Sequence, residues 1–243
     1  MKKILALLLL VPALAWASSA KTPLDHAPVN LHDRLSLQRG AQVFVNHCLN
    51  CHSASAMRYS RLGDLGLTEG QIRDNLLFTG EKVGESMVAA TDPAIAKAAF
   101  GVVPPDLSLV GRSRGADWLY TYMRGFYRDP STKSGWNNVV FPNVAMPHVL
   151  WDQQGEQVLQ VTERMDPNTG DVKRTQRLVL DGKGKLSPVA YDQQVADLVN
   201  FLTYMAEPGQ ADRKTWGIFV LFFLAGFFIL ALLLKGEYWK DVK

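Results

Sequence analysis

Cysteine is almost absent from this chain: Cys48 and Cys51 are the only two in 243 residues. Such scarcity excludes a disulfide-stapled scaffold. It also excludes a four-cysteine metal site, because no second cysteine pair exists to complete one. A charge bias is missing as well. Of 26 basic residues, Lys2, Lys3, Lys235, Lys240 and Lys243 lie outside 18–215, leaving 21; of 23 acidic residues, Glu237 and Asp241 lie outside, also leaving 21. The body is therefore formally neutral. It has no concentrated basic face for nucleic acid and no domain-wide field to steer a charged partner. No internal repeat or low-complexity stretch is present.

What the chain does have begins at its ends. Residues 1–17 combine Lys2 and Lys3, an apolar core and Ala15-Trp16-Ala17, the pattern of a secretory signal peptide too short to span a bilayer. The mature chain is expected to start near Ser18. Residues 216–234 run nineteen positions without a charge, roughly 28 Å as a helix and enough to cross the hydrocarbon core. Trp216 on one side, with Tyr238 and Trp239 on the other, suits interfacial aromatic belts. Lysines flank both sides, so orientation rests on the signal peptide: the body 18–215 outside the cytoplasm, in the periplasm, and a tail 235–243 inside.

Both cysteines fall in Cys48-Leu49-Asn50-Cys51-His52. A Cys-x-x-Cys-His run is the attachment signature of a c-type haem, with two thiols for thioether bonds and an imidazole for the iron. A thioredoxin-like redox pair would need a βαβ context, and the flanks read as helix and loop. A disulfide across so small a loop would stabilise little and would leave His52 without a role. The approach to the motif places Ala41, Phe44, Val45 and Cys48 on one face of a helix, a face suited to packing against a porphyrin. His26, His32 and His47 read as surface or locally hydrogen-bonded residues.

Downstream, Thr68-Glu69-Gly70-Gln71 resembles a capping box opening a helix through Leu77, and Asp92-Pro93-Ala94 another helix start. Pro104 and Pro105 in Val103-Pro104-Pro105-Asp106-Leu107-Ser108 make a stiff extended wall beside the haem pocket, with Asp106 or Ser108 free to cap a turn. Arg112 and Arg114 follow, either of which could pair with a haem propionate, and then a helix over about 116–126. For the iron's second axial ligand, Met57 is too near His52, and Met123 belongs to an aromatic helix with Trp118, Tyr122 and Phe126. Met87, Met165 and Met205 sit in a Gly-rich loop, a polar turn and a helix end. Met146 lies in Phe141-Pro142-Asn143-Val144-Ala145-Met146-Pro147, a proline-stiffened strap that can hold a thioether and shut out water; His148 is the runner-up. Residues 152–186 read as a β-hairpin insertion with its turn at Asp166-Pro167-Asn168-Thr169-Gly170. A helix over 192–204 then closes the domain, and Glu207-Pro208-Gly209 breaks it before the membrane span.

This order of features, with Met57-Arg58-Tyr59-Ser60-Arg61-Leu62, Pro104-Pro105-Asp106-Leu107-Ser108 and Phe201-Leu202-Thr203-Tyr204-Met205-Ala206-Glu207-Pro208, resembles the cytochrome c1 family of the cytochrome bc1 complex over nearly the whole mature chain. The resemblance implies a mainly α, single c-type cytochrome domain with a hairpin insertion and one C-terminal transmembrane helix. It implies one covalent haem c, with Cys48 and Cys51 as attachment sites, His52 and Met146 as axial ligands and Arg112 as propionate partner. The implied partners are cytochrome b, a Rieske iron–sulfur protein as electron donor and a soluble or membrane-bound cytochrome c as acceptor, in a dimeric multi-subunit complex at the inner membrane. The subunit is then an electron relay, not catalytic alone. The acidic stretches some relatives use for docking are not evident, and the hairpin has no clear match. The alternative is an anchored c-type cytochrome subunit of a terminal oxidase or peroxidase.

Overall fold

The computed structural model describes residues 23–165 and 172–241. The expected signal peptide, the hairpin turn and the last two residues of the tail lie outside them. The described chain is mainly helical, and four of its helices start at a side-chain cap, supplied by Asp33, Thr68, Asp92 and Ser187. Helix α1 (Arg34–Val43) is capped by Asp33, whose carboxylate accepts from Ser36 N. It runs into a π-helical turn, Phe44–Cys48, that delivers the first cysteine. Strand β1 (Ala54–Arg58) and a 3-10 turn (Tyr59–Leu65) follow. Helix α2 (Glu69–Asn75) has the reciprocal Thr68–Gln71 capping box that its sequence announces, and stops two residues short of the expected Leu77. After β2 (Ser86–Met87), α3 (Pro93–Phe100) opens with Asp92 as cap and proline in its first turn. Two helices follow, α4 (Val110–Ser113) and α5 (Ala116–Arg124); the latter ends before Gly125, and Phe126 instead begins a strand.

Three two-stranded antiparallel sheets decorate this frame: β1–β2, β3 (Phe126–Arg128) with β4 (Trp136–Asn138), and β5 (Gln157–Met165) with β6 (Val172–Leu180). A short α6 (Trp151–Gln154) precedes the last pair. The third sheet is the expected hairpin, with strands longer than the sequence suggested and unbroken register from Gln157 opposite Leu180 to Met165 opposite Val172. At its base, Leu159, Leu178 and Leu180 form one wall of a cleft of about 570 Å³ against Arg124, Tyr191 and Asp192.

Helix α7 (Pro188–Ala206) is the spine. Helix α1 crosses it, and α4, α5 and α6 also pack on it. The α1 crossing is close because Gly40 has no side chain: a Cβ there would sit 2.0 Å from the Asp197 carbonyl oxygen. Gly111 of α4 makes a second close approach, where a Cβ would lie 2.5 Å from the Leu202 carbonyl oxygen. Around the crossing, Ala41, Phe44 and Val45 are buried, and the Phe44 ring lies 5.7 Å from that of Phe201. The apolar face read as porphyrin-facing thus packs in part against α7.

Polar groups taken into this interface are satisfied. Buried Asp197 accepts from Ser36 Oγ at 2.7 Å and Arg39 Nε at 2.6 Å. Asn200 accepts from Asn30 N and donates to Asn30 O and Ser36 Oγ. The irregular lead-in is thereby fastened, also through Asp25 N to Thr121 Oγ1 and Ala27 N to Asp117 Oδ1.

Beyond the break at 207–209, α8 (Gln210–Tyr238) continues for 29 residues with its apolar side chains exposed. It is about 43 Å long and contains the expected span 216–234, so among the described residues one helix is long and apolar enough to cross a membrane.

Substituting Gly40→Ala should lower the stability of the helical domain by about 2–3 kcal/mol, because backbone must move to admit the methyl group. Gly63→Ala, where a Cβ meets nothing within 4 Å, should stay within about 0.5 kcal/mol. Thermal unfolding followed by circular dichroism compares the two, and equal effects would refute the close-crossing argument.

Candidate haem site

The π turn places Cys48 at the edge of the α1–α7 core, and the chain then tightens: Cys51 N and His52 N both donate to the Cys48 carbonyl, at 3.0 and 2.8 Å. Cys48 is buried, Cys51 half-buried, and both are free thiols. Burial, with Cys51 beside it, pushes the Cys48 thiol up to about 12. Three successive turns of backbone thus present two thiols and an imidazole from one short segment.

His52 is held by the proline wall. Its Nδ1–H donates to the Pro105 carbonyl at 2.7 Å, which fixes the tautomer and leaves Nε2 as the lone-pair nitrogen. A ring oriented by a carbonyl on one nitrogen and free on the other is the usual arrangement of a metal-binding histidine. Burial lowers the imidazole's proton affinity, although the Pro105 carbonyl partly opposes this, so the ring favours its neutral, ligating form.

The wall itself is zipped to the segment after the motif. Leu107 N donates to Ser53 O at 2.8 Å, and Ala56 N to Ser108 Oγ at 3.0 Å. Asp106 is the clasp. It accepts from Ser55 N and Ser55 Oγ at 2.9 and 2.6 Å, and from Ser108 N at 2.8 Å. Burial works against its charge, but the bonds from Ser108 and Ser55 outweigh that and hold it at about 2. The sequence placed Pro105 at the pocket; the structure adds that its carbonyl, not its ring, makes the specific contact.

Met146 lies on the irregular strap between β4 and α6, packed against the same apolar core that contains Cys48. The strap is fastened by two buried asparagines of β4. Asn138 Oδ1 accepts from Val140 N and Phe141 N, and Asn137 Oδ1 accepts from Asn143 N. Asn143 has φ 61°, among the described residues the one non-glycine in the left-handed region, which asparagine tolerates better than most. The Tyr122 hydroxyl donates to Met146 Sδ at 3.4 Å. Burial pushes that phenol well above its usual range, so it keeps its proton.

His148, the runner-up, is committed elsewhere. It is 1% exposed, stacks on Phe126 at 4.8 Å and 3°, and its Nε2–H donates to Gln154 Oε1 at 2.6 Å. Burial lowers its pKa to about 4, so it is a neutral core residue. His26 and His32 are exposed, and His47 accepts from Gln153 Nε2 at 2.9 Å, a local role as expected.

Arg112, expected at a propionate, pairs with a carboxylate of the chain itself. Its Nη1 donates to Glu207 Oε2 at 2.7 Å and its side chain is 65% exposed, while Arg213 pairs with the other Glu207 oxygen. This triad ties α4 to the junction between the domain and α8. Arg114 is the guanidinium on the methionine side. It lies 4.9 Å over the Trp118 ring and 5.8 Å over Phe141, and Trp118 in turn stacks on Tyr122 at 4.7 Å. Tyr122, Asn137, Asn138 and Arg114 were thus missed or undervalued. Arg114 was named beside Arg112, and Tyr122 only as a core aromatic; for the two asparagines the one signal available was their adjacency ahead of a proline-rich strap.

The donor set fits a haem: two vicinal thiols on one turn, a neutral imidazole with Nε2 free, and a thioether held at the core's edge. Those requirements, on a helical body continued by one membrane-length helix, are those of an anchored c-type cytochrome. Comparison with known proteins narrows the class. The Cytochrome C1 family model matches residues 25–174 and 183–242, and the chain belongs to that family. It is 49% identical to cytochrome c1 of Allochromatium vinosum over 236 residues, covering 97% of this chain and 96% of the relative. It is 48% identical over 241 residues to a Nitrosomonas europaea protein named ammonia monooxygenase gamma subunit, covering 99% and 98%. The mitochondrial cytochrome c1 haem protein of Saccharomyces cerevisiae is 24% identical over 258 residues, covering 96% of this chain and 73% of the relative.

Asp106 makes a pH prediction. Its folded pKa of about 2 lies below the ordinary 3.8, so its contribution is present above about pH 4 and is lost as pH falls toward 2. Asp106→Asn should therefore be less stable than the parent at pH 7, with the difference closing between pH 4 and 2. Urea unfolding across that range measures it; a difference that persists at pH 2 would contradict the assignment.

Proposed function

We propose that Cys48 and Cys51 fasten the haem, that His52 and Met146 hold its iron, and that the domain faces the periplasm, taking electrons from a Rieske iron–sulfur protein and passing them to a cytochrome c beside cytochrome b. The family membership supplies the frame: a membrane-anchored haem c subunit of the bc1 complex, acting in respiratory electron transfer. The observation that carries the residue assignment is the His52–Pro105 bond, which sets a neutral imidazole with Nε2 free one residue after the second thiol.

When bound, the haem supplies a reversible one-electron couple. The chain's own part is structural and electrostatic. His52 is oriented by Pro105, the strap presents the Met146 thioether, and the apolar core around Cys48, Val144 and Leu119 excludes water. An axial methionine raises the potential relative to a second histidine, which suits an acceptor late in a chain. Arg114, not Arg112, is the residue we assign to a propionate, because Arg112 is spent on Glu207 while Arg114 sits among the rings beside Tyr122 and Met146. Export of the neutral body follows from the signal-peptide pattern of 1–17, and α8 keeps it at the bilayer, raising its local concentration near a membrane partner. A dimeric assembly, as in the bc1 family, completes the reading.

Mild detergent purification should yield a covalent haem that survives acid-acetone extraction and co-elutes with a b-type haem and a [2Fe–2S] centre. A covalent haem without those companions would remove the assigned partners. Met146→Leu should abolish the methionine-to-iron charge-transfer band and lower the potential; carbon monoxide binding to the unmodified reduced protein would instead indicate an open iron position. Arg114→Gln should alter haem potential or retention more than Arg112→Gln, and the reverse order would return the propionate to Arg112.

A further inference from the structure

The sulfur of Met146 has a polar partner that neither covalent attachment nor axial ligation requires. A thioether carries two lone pairs, and ligation uses one. The second can then accept a hydrogen bond, and in this structure the Tyr122 hydroxyl donates to the sulfur at 3.4 Å. That hydroxyl is not there by looseness of packing. The Tyr122 ring is clamped by Trp118, stacked at 4.7 Å and 11°, and by Phe126, edge-on at 5.0 Å and 67°. Its backbone carbonyl accepts from Asn138 Nδ2 at 2.8 Å, and the other end of the same Asn138 amide holds Val140 and Phe141 of the strap. One side chain thus fixes both the helix that carries the donor and the strap that carries the acceptor. The pair is preorganised.

We propose that Tyr122 is a positioning and tuning residue for the haem potential, acting through its O–H···S hydrogen bond to Met146. The inference rests on the reading that Met146 is an axial ligand. A hydrogen bond to the ligand atom draws electron density from sulfur and weakens its donation to the metal. The ferric state depends on that donation more than the ferrous state does, so the bond favours Fe(II) and raises the potential. The effect is bounded by the net worth of one such bond, about 0.5–1.5 kcal/mol. That corresponds to a shift in the reduction equilibrium of up to about tenfold, or about 59 mV for one electron.

The test uses the full-length, haem-loaded chain in its membrane complex, with redox titration and the methionine-to-iron charge-transfer band as readouts. Tyr122→Phe keeps the aromatic clamp and removes only the donor. It should retain the band, with altered position or intensity, and lower the potential by up to about tenfold in the equilibrium. Tyr120→Phe serves as the control: it is one position from Thr121 on the same helix, and its ring faces Arg124 at 4.5 Å. It should leave the potential unchanged. Site-specific fluorotyrosine at 122, a more acidic donor, should move the potential upward, which a purely steric role would not do. Tyr122→Phe with an unchanged potential overturns the proposal and leaves the ligand assignment standing, provided Met146→Leu loses the band. Retention of the band in Met146→Leu overturns both.

Discussion

Glycine at position 40 lets the backbone of α1 lie directly on that of α7, and the three sides of the haem site are referenced to that contact. Helix α1 brings the π turn and, with it, Cys48, Cys51 and His52. Gly111 brings α4 equally close to α7 one to two turns further along, so the proline wall that precedes α4 is located from the same spine. Tyr191 of α7 donates to the Met123 carbonyl at 2.8 Å, which sets the end of α5 and therefore Tyr122 and the strap. A site built from segments distant in sequence keeps its geometry because each segment is measured from one helix. Loss of a single close approach would shift one side relative to the other two.

The buried polar groups give this frame uniqueness more than energy. An intramolecular hydrogen bond nets only about 1 kcal/mol, but an unmet buried donor or acceptor costs more. Asp197, Asn200 and Asn138 each join elements separated in sequence, and each meets several partners. An alternative packing would strand those groups. His148 follows this only in part: neutral and stacked on Phe126, it has its Nε2–H met by Gln154, while its Nδ1 is buried without a hydrogen-bond partner.

Features legible in the sequence were those governed by local chemistry. The Thr68 capping box, the Asp92-Pro93 start and the membrane-length apolar stretch each depend on neighbours within a few residues, and each appears in the structure as read. The hairpin was legible from alternation, although its true strand lengths were not. Illegible features depended on distant partners. Arg112 and Arg114 are two residues apart on or beside a four-residue helix, so their side chains diverge by about 200°. Which one faces the rings is decided by Glu207, 95 positions away. Likewise nothing near Tyr122 announces that its hydroxyl finds a thioether 24 positions downstream. The irregular 23–30 segment read as a passive lead-in because its anchors, Thr121, Asp117 and Asn200, lie 90 to 170 positions away.

The pairing of Arg112 with Glu207 gives the junction with α8 a physical description. The helix breaks at Glu207-Pro208-Gly209, where proline supplies no backbone donor and α7 cannot simply continue. At that break Glu207 is held from both sides, by Arg112 of α4 and by Arg213 in the first turn of α8. Exposed ion pairs of this kind add little stability. What the shared carboxylate does supply is a link between α4 and the first turn of α8 across the break. For an electron relay, a tether alone raises local concentration, whereas transfer also depends on which edge is presented to a partner. Arg112, expected at the cofactor from the sequence, in the structure joins the domain to the first turn of α8 through Glu207.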